Sequence, residues 1–267
     1  MGPSVQSDHR MTSPQPRPPA DFTYNDLAKA ISAPRAARYL KSAEAMEGES
    51  LHLAVELYQH NATLSAAAWS TIADMEVLLR NVVADSVHTR HSSVGRSLSE
   101  RWYDAPNWFP PHNPWFTAQS LNAIKNAKRA VGDRGPGSNA RPPEGRVVAG
   151  LSFGFWRFIL SSRYEHSLWN PAVRRAFPGL QGLSGTDSRA AVYDRMTMLN
   201  NLRNRIGHHE PIYEPFTVEG RVLEASQVLH DGVELIEWTN PRAAHWIQQR
   251  ITFDTASRAM KNWPRRT

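Results

Sequence analysis

The chain of 267 residues contains no cysteine, which excludes disulfides and thiolate metal ligands and fits a reducing compartment, so a cytoplasmic protein is expected. Lysine is nearly as scarce: only five of the 31 basic residues are lysine, and the rest are arginine. Long hydrophobic runs are missing too. The most apolar stretch, Val147 to Leu160, is too short to cross a bilayer and contains Arg157, so no membrane association is expected. No G-x-x-x-x-G-K-[ST], G-x-G-x-x-G or H-E-x-x-H pattern occurs, which leaves NTP hydrolysis, dinucleotide chemistry and zinc proteolysis without support. No cofactor is expected.

What is present is enough apolar material for a core: 40% hydrophobic residues and nine tryptophans over a length suited to one large or two small domains. The first twenty residues are polar and carry five prolines, so residues 1–20 are expected to be a disordered tail and 21–267 a single helical domain. The formal charge of +6 and pI near 9.8 are compatible with an anionic partner, and arginine is the cation with bidentate phosphate geometry. The same arginine excess also follows from GC-rich coding, so the balance speaks to attraction and solubility rather than to a site.

Periodicity predicts an all-α chain. A first helix is expected over Asn25 to Lys41, interrupted near Pro34, and another from Glu49 to Tyr58. The clearest helix follows Asn61 or Thr63 as N-cap, with Leu64, Ala68, Ile72, Met75, Leu79 and Val82 on one buried face. Four prolines and several aromatics over Trp102 to Trp115 predict an irregular, packed connection before a basic helix from Phe116 to Val131. Residues 132–146 read as a mobile loop, where Gly and Pro punctuate three arginines. Val147 to Arg163 is helical or a strand–helix hybrid, and helices are expected over Arg221 to Trp238, Arg242 to Arg250 and Phe253 to Lys261.

The chemistry gathers at Leu199 to Tyr213, where arginines, asparagines, two adjacent histidines and a glutamate crowd one helix end. Val192, Met196, Leu199, Leu202 and Ile206 mark an amphipathic helix from about Asp187, with Asp187 or Thr186 as N-cap, to about His209. Pro211 ends it, so both histidines are expected in the last turn, where unpaired carbonyls and the helix dipole favour positive charge. Such a set suits phosphodiester chemistry: arginine holds a phosphate, histidine moves protons and asparagine orients a partner. At roughly 100° per residue Asn204 and His208 share a polar face, whereas Arg203 lies about 140° from His208. For Arg203 and His208 to act together, either the helix distorts near Gly207 or a second copy completes the site.

Arg203-Asn204-x-x-x-His208 resembles the R-N-x-x-x-H signature of HEPN domains, and Leu202 to Ile212 resembles the end of the core in Abi-like (abortive infection) bacterial proteins. Further segments agree in order: Leu57-Tyr58 with Asn61 to Ser65, Glu76 to Asn81, Leu151 to Trp156, Tyr164 with Leu168-Trp169, and Ala176 to Pro178. The resemblance covers about residues 25 to 250. Two positions depart from it: Gly207, where the family more often has alanine, and His60, where it often has tryptophan. The resemblance implies a HEPN-like helical bundle with additional helices and a metal-independent endoribonuclease acting in phage defence or as a toxin. The implied partners are RNA, a second copy, and an antitoxin or phage component.

On this reading His208 transfers the proton, Arg203 binds the phosphate, Asn204 orients, and Arg205 and His209 contact substrate. Glu76 and Arg80, spaced i,i+4, either support the site or form a helix-stabilising ion pair. The alternative is a non-catalytic helical module that binds RNA or protein, with the arginine–histidine cluster as contact surface or dimer seam; a purely structural reading has Arg203 pair with Glu76 in the core and His209 cap its helix. His88 and His91 read as a solvated polar face rather than a metal site, and Trp156, Trp169 and Phe177 read as core packing rather than base-stacking residues.

Overall fold

The computed structural model describes residues 21–46, 48–93, 101–104, 116–139 and 141–261. The expected tail at 1–20 and most of the expected connection from Trp102 to Trp115 lie outside them. Two compact units are formed, one within Met1–Asn61 and Met260–Thr267, the other Ala62–Ala259.

In the first unit, Thr23 begins α1 (Tyr24–Ile31) with a capping box: its hydroxyl accepts from Asp26 N, and the Asp26 carboxylate accepts from Thr23 N. The break expected near Pro34 falls at Ser32, whose φ of 79° no helix accommodates, and Pro34 opens α2 (Ala33–Ala43). Leu27, Ala36 and Val55 form a small core. The two helices expected between Glu49 and Val82 are instead one continuous helix, α3 (Ser50–Ser93). No Gly or Pro interrupts residues 49–93 up to Ser93, and Asn61 does not cap: its buried amide donates to Tyr39 Oη at 3.2 Å. Burial pushes the Tyr39 phenol up to about 12 and holds the neighbouring His60 imidazole below its ordinary value.

The second unit is built around the rest of α3. Leu64, Ala68, Ile72, Met75, Leu79 and Val83 are buried along one face, with Val82 at its margin. Around it stand α4 (Ala118–Ala130), capped by Thr117, the short α5 (Glu144–Gly150) and α6 (Phe153–Phe158), and α7 (Gly185–Gly207). These are followed by α8 (Ala225–Glu237), α9 (Pro241–Arg250) and α10 (Phe253–Lys261). The dense apolar run at 147–163 is therefore helical, broken at Leu151 and Ser152, and residues 162–180 continue as short 3-10 turns with one π-helical turn at Glu165–Trp169. Trp156, Trp169 and Phe177 are fully buried, as expected of core aromatics. The loop after α4 is fastened by charge. Asp104 pairs with Lys128 and Arg141, and Arg101 reaches both Asp133 and the Pro142 carbonyl.

One departure from an all-α chain is a two-stranded antiparallel hairpin, β1 (Phe216–Val218) and β2 (Arg221–Leu223), in which Phe216 faces Leu223. Its two-residue turn places Glu219 and Gly220 at φ 49° and 78°, the pairing that lets twisted strands meet. The helix expected from Arg221 accordingly starts only at Ala225. Glu-Gly is a weaker turn signal than Asn-Gly, and β2 is short and exposed.

A tight helix crossing lies at Gly232. A Cβ there would stand 2.7 Å from Met75 Sδ and 2.9 Å from Leu199 Cδ2, both buried, so a side chain at this position would force those two side chains of α3 and α7 to shift. Gly232→Ala is expected to destabilise the fold by about 1–3 kcal/mol, the usual cost of overpacking, read as a lower urea midpoint. An unchanged midpoint would show that the crossing relaxes freely.

His60 gives a second expectation. Its folded imidazole refuses a proton that the unfolded chain accepts, so stability falls as pH drops below about 6.5 toward the depressed folded value. Urea unfolding at stepped pH should show a shallower decline in His60→Phe than in the parent.

Candidate functional site

Ser184, rather than Asp187 or Thr186, is the N-cap of α7: its hydroxyl accepts from Asp187 N at 3.0 Å and donates to the Asp187 carboxylate. The helix then runs unbroken to Gly207. Its end is a Schellman motif, in which His209 N donates to Ile206 O at 3.0 Å and Glu210 N to Arg205 O at 2.9 Å. His208 is the C-cap residue, still donating to Asn204 O at 2.9 Å, and His209 takes the left-handed position at φ 57°. The two histidines thus do not both lie within the last helical turn, and Gly207 does not loosen it. Glycine would ordinarily be found one step later, where His209 stands.

A regular helix through Gly207 keeps Arg203 and His208 about 140° apart around the axis. Arg203 faces α3. Its Nε lies 3.8 Å from Glu76 Oε2, and its guanidinium carbon lies 5.5 Å from the centre of the Trp69 ring. The distance to Glu76 makes an ion pair rather than a hydrogen bond, and with Arg203 36% exposed such a pair contributes at most about 1 kcal/mol. The fork therefore keeps donors available. The alternative of Arg203 paired to Glu76 is realised in the contact itself, but the side chain is not locked into the core.

Glu76 and Arg80 do not form the expected i,i+4 pair; Glu76 turns to Arg203 instead. Trp69, Glu76 and Arg80 occupy positions i, i+7 and i+11 of α3, which align on one helix face. Asn204 is half-buried on the His208 side, while His208 and His209 are exposed. Arg205 is committed within the chain: it pairs with Glu210 at 2.9 Å, donates to the Pro211 carbonyl at 2.9 Å and lies 4.8 Å from the Phe216 ring centre. Its packing braces the helix end against the hairpin.

Trp69 was not marked by sequence reasoning. The signal was available, since the residue directly after buried Ala68 lies off the apolar stripe, and a tryptophan off the stripe must meet a partner or solvent. Among histidines expected on a solvated face, His91 is buried, and exposed His88 lies 3.6 Å from Glu144 of α5, a carboxylate distant in sequence. Among the described residues, no group of three His, Asp or Glu side chains is placed to hold a metal ion, and no helix is long and apolar enough to cross a membrane. Compared with known proteins, the chain matches no family model, no curated protein and no solved structure.

The helix-end geometry generates its own test. A non-glycine residue in the left-handed conformation costs roughly 1–2 kcal/mol, so His209→Gly is expected to raise stability by about 1 kcal/mol. Gly207→Ala should add a similar amount, because Gly207 is helical and nothing lies within 4 Å of where its Cβ would be. Urea denaturation of each variant reads these gains, and a loss of stability in either would contradict the described cap.

Proposed function

We propose that this chain is a metal-independent endoribonuclease of HEPN type, acting in phage defence or as a toxin, with Arg203 as phosphate ligand and His208 as proton-transfer residue. The observation that carries the reading is the half-exposed Arg203 guanidinium, held against α3 by an ion pair too long to consume its hydrogen-bond donors. A histidine takes the proton of a ribose 2′-hydroxyl, whose oxygen attacks the adjacent phosphorus. The bond to the 5′-oxygen breaks as that oxygen gains a proton, and a 2′,3′-cyclic phosphate remains. Arg203 balances the negative charge that builds on the phosphorane-like transition state.

The 140° separation of Arg203 and His208 argues for a site completed by two copies, in which one contributes the guanidinium and the other the imidazole. Asn204 orients His208 from one turn away. Arg205, being tied to Glu210 and Pro211, serves this site as a brace rather than as a substrate contact.

The Arg203–Glu76 pair also supports a second reading, a non-catalytic helical module whose arginine-rich helix end binds RNA, an antitoxin, a phage component or another copy. Cleavage separates the two readings. The enzyme is expected to cut RNA in the presence of a chelator and leave 2′,3′-cyclic ends. His208→Ala should lower kcat by roughly 10²- to 10⁴-fold at unchanged stability, whereas His209→Gly should stay active. RNA binding without cleavage in the parent protein would leave the module.

A further inference from the structure

Trp69 projects from α3 with 42% of its surface exposed, beside rather than within the helix's buried apolar stripe, an unusual setting for the largest apolar side chain. Its one described partner is the Arg203 guanidinium, 5.5 Å from the ring centre. A flat indole beside a phosphate-binding fork is the arrangement by which proteins hold a nucleotide, with the base on the aromatic face and its phosphate on the arginine. Charge continues along the same face: Glu76 anchors Arg203, and Arg80 follows, half-buried, with no ion pair to any described residue. Across on α7, Gly207 lies one turn beyond Arg203, and nothing occupies the space above it.

We infer that Trp69 is the base-stacking platform of the site and that the substrate class is an unpaired RNA segment. The role of Arg203 as phosphate ligand rests on the proposed nuclease reading, whereas the platform does not. A base inside a duplex already stacks on both neighbours, and exposing its face requires unstacking and unpairing. A single strand presents that face at little cost, so an aromatic platform selects unpaired RNA without reading its sequence. One side of the indole is taken by Arg203, which leaves room for one base rather than a sandwich. Trp69 is thus a substrate-binding residue, with Glu76 holding Arg203 on the same side of α3.

The test uses the full-length His208→Ala protein, so that binding is read without cleavage, with a fluorescently labelled single-stranded RNA and the same sequence annealed as a duplex. Trp69→Ala is expected to weaken single-strand binding by roughly 5- to 150-fold, the range that stacking on an aromatic side chain spans. Trp69→Phe should retain most of the affinity, and duplex affinity should not depend on residue 69. Tryptophan emission should be quenched by the single strand, with the quench reduced in Trp69→Phe. Unchanged affinity in Trp69→Ala, or an equal loss for both RNAs, would overturn the inference. So would concentration-dependent self-association that Trp69→Ala abolishes while RNA affinity stays constant, which would make the indole a protein contact.

Steady-state cleavage with His208 intact separates the two proposals. RNA cut by Trp69→Ala with parental KM would sink the platform and keep the nuclease. Residue-69-dependent binding by a parent that cuts nothing would keep the platform and sink the nuclease.

Discussion

Gly232 has no side chain where a Cβ would crowd Met75 and Leu199, and the buried apolar packing of α3, α7 and α8 around it sets which surfaces of α3 and α7 face each other. With α8 against Met75 and Leu199, the facing surfaces of α3 and α7 are set by buried apolar contact rather than by charge. Glu76 follows Met75 by one residue, and Arg203 follows Leu199 by one turn. Their meeting is a consequence of packing that is already fixed. An ion pair at this exposure contributes too little to place two helices, so the direction of cause runs from the core outward.

The end of α7 is organised differently, by satisfying carbonyls. Schellman bonds close on Ile206 and Arg205, and Arg205 in turn reaches the Glu210 carboxylate, the Pro211 carbonyl and the Phe216 ring. A single arginine therefore couples the helix terminus to the hairpin that follows. His209 holds the position in which glycine is least strained, and the chain retains an exposed imidazole there at a cost in stability.

Charge is handled in two contrasting ways. Around Asp104 and Asp133, cations and carboxylates are matched and largely withdrawn from water, which fastens the glycine-rich loop after α4. A pair so placed is costly to break, because the remaining charge loses its partner in a poorly solvated setting. At Arg203 the pairing is long, half-exposed and shared with an aromatic ring. The first arrangement suits structure, and the second leaves a guanidinium able to exchange partners.

The apolar period determined two central helices: Leu64 to Leu79 and Val192 to Ile206 fall where their spacing puts them, because burial rewards one face of a 3.6-residue repeat. The same period placed the arginines and histidines at the end of α7, and burial preference placed Trp156, Trp169 and Phe177 in the core. Local signals failed where a distant group took over their role. Asn61 looks like a cap but donates to Tyr39, Glu76 has a lysine-like neighbour in Arg80 yet pairs with Arg203, and the Glu219–Gly220 turn is set by the pairing of Phe216 with Leu223. Only tertiary structure decided that Arg203 meets Trp69 and Glu76, since those contacts join residues more than a hundred positions apart, and side-chain spacing along one helix carries no information about the face of another.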